Sequence, residues 1–175
     1  MQKIQFSKDD KVIVVFGDKD NVFLTNGHWL VEKTVGTFEL VVKVKKPELK
    51  AELFKKFYAK ESFNYSSGCF GNMSMSMINA ILETSQKRPD KAVRLEGLQY
   101  YGNYVYKTVT GNFIALKSDY IDMLNLSESN IFGLDGNSSV YFKDNNAVVM
   151  PVRVDFDKLL QGLNIKLDKP VAVAV

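Results

Sequence analysis

The segment before the C-terminal tail carries the most regular pattern in the chain, and it constrains the fold most strongly. Residues 111–117 (GNFIALK) favour a strand, and residues 118–126 (SDYIDMLNL) predict a short helix with Ser118 as its N-cap. Three further β-forming segments follow, separated by Asp-Gly-Asn and Asp-Asn-Asn turns: 130–136, 139–144 and 147–154. The order strand, helix, strand, strand, strand predicts a βαβββ unit.

The first 61 residues repeat part of this order. Residues 11–17 and 21–25 predict two strands of a hairpin, and residues 37–45 (TFELVVKVK) predict a third strand with one buried face. Residues 45–61 then predict an amphipathic helix, with Pro47 in its first turn. A strand followed by a helix indicates a weak internal repeat of the βαβββ unit.

The middle of the chain predicts a second helix and more strands. Residues 73–85 contain two apolar rows at helical spacing, and we expect their methionines to fill an irregular core rather than line a groove. Residues 86–94 predict a basic loop, and strands return from residue 92. The fold class is therefore α+β, with antiparallel sheets and a few helices. We expect a partial unit at 1–61, a full unit at 62–154 and a helix-strand extension at 155–175.

The composition of the chain argues against a disulfide, a zinc site and a membrane span, but it does not indicate a particular function. The 23 Lys and Arg residues against 20 Asp and Glu residues give a formal net charge of +3, too small to indicate nucleic-acid binding by itself. The single cysteine, Cys69, cannot form a disulfide within the chain, and no Cys/His cluster predicts a zinc site. The polar N-terminus and the absence of a long apolar run predict a cytoplasmic protein without a signal peptide or membrane span.

Catalysis would have to depend on His28, the only histidine. A nucleophile and base need an orienting acid nearby, and no nucleophile elbow, phosphate-binding loop or dinucleotide motif accompanies this residue. We therefore expect a binding protein rather than an enzyme, with no catalytic residue, no cofactor and no metal. A small hydrolase that uses His28 is the least favoured alternative.

Two short motifs resemble one known family. The segment LTNGHWLVE (24–32) resembles the T-D-G-H-R-L segment of the bacterial DNA polymerase III β sliding clamp, and AVVMPVRV (147–154) resembles the M-P-M-R-L with which that clamp ends. The strand and helix after the first motif, and the strand-helix-strands order before the second, follow the family's arrangement. Asn26, Trp29 and Val152 depart from the family's motif residues. The resemblance implies clamp-like (processivity-fold) units in a short, diverged, phage or mobile-element relative.

In the sliding clamps these two motifs line a pocket for short peptides of polymerases and other replication proteins. The resemblance carries that role to the following residues, with Trp29 as an interface anchor: Thr25, Gly27, His28, Trp29, Leu30, Val148, Met150, Pro151, Val152 and Arg153. This set is mostly apolar, which suits a pocket that orients its ligand with few polar groups.

Basic residues on the predicted helix at 45–61 have two interpretations. They form a solvated helix surface, or they face DNA phosphates without reading the sequence, as the basic helices inside sliding clamps do. The DNA-contact candidates are Lys45, Lys46, Lys50, Lys55, Lys56, Lys60, Lys87 and Arg88.

The leading hypothesis is thus a non-enzymatic, sliding-clamp-like replication accessory protein that associates with itself. Its partners would be duplex DNA and a DNA polymerase or another replication protein. The alternative is a phage-type module that binds or inhibits a host protein and does not touch DNA.

Overall fold

The fold was analysed in a computed structural model, which describes residues 2–6, 13–17, 20–42, 62–64, 69–70 and 73–155. The helix predicted at 45–61 lies outside the described residues, as does the predicted extension beyond residue 155.

The described residues contain thirteen strands and two helices. The strands are β1 (Gln2–Phe6), β2 (Ile13–Phe16), β3 (Asn21–Thr25), β4 (Trp29–Thr34), β5 (Phe38–Val42), β6 (Ser62–Asn64), β7 (Cys69–Phe70), β8 (Asp90–Tyr100), β9 (Asn103–Thr108), β10 (Phe113–Lys117), β11 (Ile131–Gly133), β12 (Val140–Phe142) and β13 (Ala147–Val149). The helices are α1 (Met75–Gln86) and α2 (Ser118–Leu124), and a 3-10 turn spans Lys143–Asn145.

Eleven of the strands form one antiparallel sheet in the order β10-β9-β8-β11-β12-β13-β4-β3-β2-β6-β7, while β1 and β5 pair separately and in parallel. The predicted α+β class with antiparallel sheets is confirmed. The predicted strand-helix-strand-strand-strand order is confirmed as well, by β10, α2, β11, β12 and β13. The pairing of β13 with β4, in which Val148 lies opposite Leu30, joins the two halves of the sequence into one sheet.

The central strands are buried on both faces. Successive residues of a strand point to opposite sides of a sheet, so Val22 and Leu24 face one side and Phe23 the other. On the first side the core includes Ile121 and Leu124 of α2. On the second side Ile78 and Leu82 of α1 pack with Phe23, Leu30 and Val148. Because each face meets a helix, these strands carry consecutive apolar residues instead of an alternating pattern.

The part of the sheet from β10 to β13 is strongly curled. Five strand spacings separate β10 from β13 in the sheet order, which would be roughly 24 Å if the sheet were flat. Yet Val152, three residues after the end of β13, donates its backbone N–H to Ala115 O of β10 at 2.8 Å, and three residues span at most about 11 Å. The sheet must therefore bend until β10 lies near the end of β13.

Gly133 of β11 shows how closely the curled strands approach each other. A Cβ added at Gly133 would lie 2.6 Å from Cδ1 of Ile114 on β10, although β8 and β9 lie between these strands in the sheet. Gly133 and Ile114 are both buried. The absent side chain at position 133 thus makes room for Ile114 inside the curl.

The two helices begin differently. The hydroxyl of Ser74 accepts the backbone N–H of Met77 at 3.4 Å and caps α1. The predicted N-cap role of Ser118 is wrong, because Ser118 is the first helical residue of α2 and Lys117 occupies the cap position. The Ser118 hydroxyl instead donates to Gly102 O at 2.6 Å, which ties α2 to the turn between β8 and β9.

A buried tyrosine joins β9 to the loop after α2. Tyr106 is fully buried, and its hydroxyl donates to Glu128 Oε2 at 2.8 Å. Arg94 donates to the other oxygen of the same carboxylate, also at 2.8 Å. Burial is the main cause that raises the pKa of Tyr106, and the hydrogen bond to Glu128 adds to it.

Candidate functional site

The turn between β3 and β4 is built by its own side chains. The Asn26 side-chain oxygen accepts the backbone N–H groups of His28 at 2.9 Å and of Trp29 at 3.1 Å. The Thr25 hydroxyl accepts the N–H of Gly27 at 3.1 Å and donates to Trp29 O. Gly27 has φ +87°, a conformation that glycine adopts without strain. These contacts fix the backbone of the Asn-Gly-His turn and hence the direction in which His28 projects.

The end of β13 is attached directly to this turn. Met150 donates its backbone N–H to His28 O at 2.8 Å, one residue beyond the last strand pair of β13 and β4. The two motifs that sequence analysis singled out, far apart in the chain, are therefore hydrogen-bonded neighbours. His28 and Met150 are both exposed.

A groove of about 450 Å³ lies between this pair of segments and the helix α1. The two motifs form one wall of the groove, which contains Thr25, Gly27, His28, Trp29, Leu30, Val148 and Met150. The helix α1 and nearby loops form the other wall, which contains Met73, Ala80, Ile81, Thr84, Ser85 and Ser139. The volume lies within the usual range for sites that bind small ligands or a few side chains of a peptide. Seven of the ten residues proposed for the pocket thus line one groove.

Three residues of the proposed pocket do not line this groove. Pro151, Val152 and Arg153 follow Met150 as the chain turns toward β10, where the backbone of Val152 bonds to Ala115. Val154 then packs against the partly buried side of β8, β9 and β10. The second motif therefore contributes its strand and Met150 to the groove, while its end contributes to closing the curled sheet.

Trp29 and His28 have separate environments although they are adjacent. The Trp29 side chain is 2% exposed and belongs to the core on the α2 side of the sheet, so it does not project into the groove as an anchor. His28 is exposed at the opening of the groove. It is the titratable side chain of the lining, which among the described residues contains no Asp, Glu, Lys or Arg.

The contribution of α1 to the groove was not predicted from the sequence, although the second apolar row of this helix indicated it. One apolar row of α1 (Met75, Ile78 and Leu82) packs into the core as expected. In the other row Met73 also packs against this core, but the two residues that follow it do not. Met77 is 49% exposed and Ile81 is 36% exposed, and Ile81 lines the groove. The expectation that these methionines only fill a core is wrong for Met77, because a helix lying on a sheet buries one stripe and two apolar rows exceed it.

Hydrogen bonds hold α1 at a fixed position over the sheet. Ser85, which is buried, shares a hydrogen bond of 2.9 Å with Ser139 before β12. Near the helix end, Gln86 donates to the Tyr141 hydroxyl at 3.3 Å, and that hydroxyl donates to Asn146 at 3.0 Å. Asn146 in turn donates its side-chain amide to Glu32 of β4. These hydrogen bonds connect α1 to β12, to Asn146 and through it to β4, which favours a preformed site.

Two of the DNA-contact candidates lie in the described residues, directly after α1. Lys87 is exposed, whereas Arg88 is half-buried. The pKa of the Asp135 carboxyl lies below its usual range, chiefly because the backbone N–H of Asn137 donates to it, and the charge of Arg88 contributes to the lowering. The other six candidates, Lys45, Lys46, Lys50, Lys55, Lys56 and Lys60, lie outside the described residues.

The chemistry of the groove is that of a binding surface with few polar groups. The hydroxyls of Ser85 and Ser139 are bonded to each other. Within the described residues no group of His, Cys, Asp and Glu side chains could hold a metal ion. In that same part of the chain, none of the helices has the length and apolar character needed to cross a membrane.

Comparison with known proteins found no matching family model, curated protein or solved structure. The site must therefore be interpreted from its own residues.

Proposed function

We propose that the chain is a non-enzymatic protein-binding module that docks a short apolar peptide segment of a partner in the groove between α1 and the β3–β4 turn. In its full form the proposal is a sliding-clamp-like replication accessory protein whose partner is a DNA polymerase or another replication protein. The main support for the proposal is that two motifs, separated by more than one hundred residues in the chain, line the same groove.

Exposed apolar side chains support a peptide as the ligand. Ile81 and Met150, at 36% and 40% exposure, lie on opposite walls, so a ligand side chain between them would remove apolar surface of both from water. Methionine adapts its shape to different apolar partners, and Met73 adds a second flexible side chain to the lining. A lining without Asp, Glu, Lys or Arg favours the apolar side chains of a peptide over a phosphate or sugar ligand.

Peptide selection with matched variants tests the docking proposal. A random peptide library displayed on phage is selected against the full chain, and the enriched peptide is labelled and titrated by fluorescence anisotropy. Ile81→Glu places a charge in the groove and should weaken binding by about 30-fold or more, the effect of losing a hot-spot contact. Val35→Glu is the matched control, because Val35 is 43% exposed in a turn away from the groove.

Two outcomes would contradict the docking proposal. One is that selection enriches no peptide with apolar side chains. The other is that Val35→Glu and Ile81→Glu weaken binding equally. A hydrolase that uses His28 predicts something different, namely loss of turnover in His28→Ala, whereas the docking proposal predicts an intact fold and a modest loss of affinity.

The DNA part of the proposal is supported by the lysines of residues 45–60 and is tested separately. Changing Lys50, Lys55 and Lys56 to Glu should lower affinity for duplex DNA and reduce the slope of log K against log salt by about 0.9 for each lost phosphate contact. The control changes Lys91, Lys107 and Lys143 to Glu, which alters the total charge equally. Equal retention of DNA by the wild type and the first variant would favour the alternative, a phage-type module that binds a host protein without DNA.

Self-association is the remaining component of the clamp-like proposal. Light scattering with and without duplex DNA measures it directly. A closed symmetric oligomer supports a ring. A monomer that does not retain DNA contradicts the ring and leaves the peptide groove as the functional element.

A further inference from the structure

The turn between β3 and β4 contains the single Asn-Gly pair of the chain, Asn26-Gly27. In an Asn-Gly pair the backbone nitrogen of the glycine can attack the side-chain amide of the asparagine, because glycine has no side chain that blocks the approach. A folded structure speeds or slows this reaction through the contacts it gives to the two groups. The contacts of Asn26 and Gly27 therefore decide how reactive this turn is.

The amide oxygen of Asn26 has the surroundings of an oxyanion hole. It accepts the backbone N–H of His28 at 2.9 Å and that of Trp29 at 3.1 Å. Attack on the amide carbon moves negative charge onto this oxygen, and N–H donors at about 2.7–3.1 Å from such an oxygen lower the barrier of the step. Both donors are backbone groups of the turn itself, so they are in place before the reaction begins.

The attacking nitrogen is accessible to solvent. Gly27 is exposed, and a Cβ added to it would meet no atom within 4 Å, so water and hydroxide ion reach this residue. Its N–H donates to the Thr25 hydroxyl at 3.1 Å, which is an uncharged acceptor. Hydroxide ion must remove this proton before the nitrogen attacks, and the reaction should therefore become faster as the pH rises.

A second turn has the same hydrogen-bond pattern around a different group. Asp135, which also precedes a glycine, accepts the backbone N–H groups of Asn137 at 2.9 Å and of Ser138 at 2.8 Å. The pKa of this carboxyl lies below its usual range, chiefly because the Asn137 N–H donates to it, so the group is ionised at neutral pH. A carboxylate is a poor electrophile because it already carries negative charge. In a neutral amide such as that of Asn26, the same two donors instead draw electrons away from the carbon.

We propose that Asn26 is a site of spontaneous deamidation, at which the β3–β4 turn activates its own side-chain amide. Hydroxide ion removes the Gly27 N–H proton, the nitrogen bonds to Cγ of Asn26, and the Cγ–Nδ2 bond breaks. Ammonia leaves with a proton from water, which regenerates hydroxide. Water then adds to either carbonyl carbon of the cyclic imide, and the bond from that carbon to the Gly27 nitrogen breaks as the nitrogen takes up a proton. The product at position 26 is aspartate or isoaspartate.

Both products change the rim of the groove. Gly27 and His28 belong to its lining, whose described residues include no Asp, Glu, Lys or Arg, and each product adds one negative charge directly beside them. Isoaspartate also lengthens the main chain by one carbon atom, which moves the acceptor of the His28 and Trp29 N–H groups. The modification thus alters one wall of the groove permanently. The proposal does not depend on the function assigned to the groove.

Peptide mass spectrometry of the full chain, incubated in mildly alkaline buffer, tests the proposal. Deamidation replaces an amide NH2 group by OH, and in water enriched in heavy oxygen the new carboxyl group takes up the isotope. Asn26 should be converted about tenfold or more faster than Asn137, which precedes a serine, because only the Asn26 amide combines two donors on its oxygen with a glycine. The folded chain should react at least as fast at Asn26 as the chain unfolded in guanidinium chloride.

Two variants make the test specific. Asp135→Asn gives the second turn an Asn-Gly pair with the same two donors, so position 135 should become reactive at a rate similar to that of Asn26. Asn26→Gln keeps an amide but requires a larger ring, and it should show no conversion at position 26. Slower reaction of Asn26 in the folded chain than in denaturant, conversion no faster than at Asn137, or no conversion at position 135 in the first variant would each overturn the proposal.

Discussion

Gly133→Ala tests the curled sheet, because the curl alone brings Gly133 close to Ile114. The new Cβ would lie 2.6 Å from Ile114 Cδ1, about 1 Å closer than a normal carbon–carbon contact. Overpacking of this kind costs about 1–3 kcal/mol. Replacing glycine by alanine also lowers the entropy of the unfolded chain, which offsets about 0.4–1 kcal/mol. The expected net loss in the free energy of unfolding is therefore about 1–2 kcal/mol.

Removing the opposing methyl group should cancel this loss. Ile114→Val deletes Cδ1 and by itself costs about 0.5–1.5 kcal/mol. In the double variant the alanine methyl occupies the vacated space, so its stability should be close to that of Ile114→Val alone. The coupling energy in the double-mutant cycle should then be about 1 kcal/mol or more.

Urea denaturation followed by tryptophan fluorescence measures all the variants, because the chain has a single tryptophan and that residue is in the core. Ile131→Val is the matched control, since Ile131 is an equally buried isoleucine of the same strand as Gly133. Its combination with Gly133→Ala should be additive. If Gly133→Ala were equally additive with Ile114→Val, the close approach of β10 and β11 would be refuted.

Three further predictions concern local contacts. Because burial raises the pKa of Tyr106, that residue contributes stability that is present below about pH 10 and lost above it, so Tyr106→Phe should reduce the fall in stability between about pH 9 and 11 in urea titrations. The pKa of Asp144 is lowered, first by a hydrogen bond from the Asn130 side chain, so its contribution is present above about pH 4 and lost on acidification. Asp144→Asn should therefore flatten the acid side of the stability profile. Asn26→Ala removes the acceptor of two turn N–H groups and should cost about 1–2 kcal/mol in thermal denaturation, whereas Asn26→Asp keeps the acceptor and should cost less.

Sequence patterns predicted several local elements of this fold, but β4 was not among them, and the loop predicted at 86–94 is wrong from Asp90 onward, where β8 begins. The β-forming segments with Asp-Gly-Asn and Asp-Asn-Asn turns gave β11, β12 and β13, since short-range turn chemistry and alternation act within each segment. The helix α1 was found from its apolar spacing alone. Ser118 was assigned to the cap of α2 incorrectly because its hydroxyl bonds to Gly102, a residue that only the tertiary structure brings near.

The long-range arrangement could be predicted only in part. The two motifs around His28 and Met150 were placed at one site by resemblance, and the structure brings them into hydrogen-bond contact. The curl of the sheet has no signal in any one segment, because it depends on the approach of Gly133 to Ile114 across two intervening strands. The position of Ile81 in the groove could not be predicted either. The helix α1 has two apolar rows, and the sequence alone does not tell which row faces the sheet.

Methionine methyl NMR tests the groove as a docking site most directly. The chain has six methionines. Met73 and Met150 line the groove, whereas Met123 is partly buried and packs against the core on the α2 side of the sheet. Titration of the selected peptide into the full chain should shift the methyl signals of Met73 and Met150 with one common dissociation constant and leave Met123 unchanged. A peptide that binds at that affinity without moving Met73 or Met150 would contradict the account.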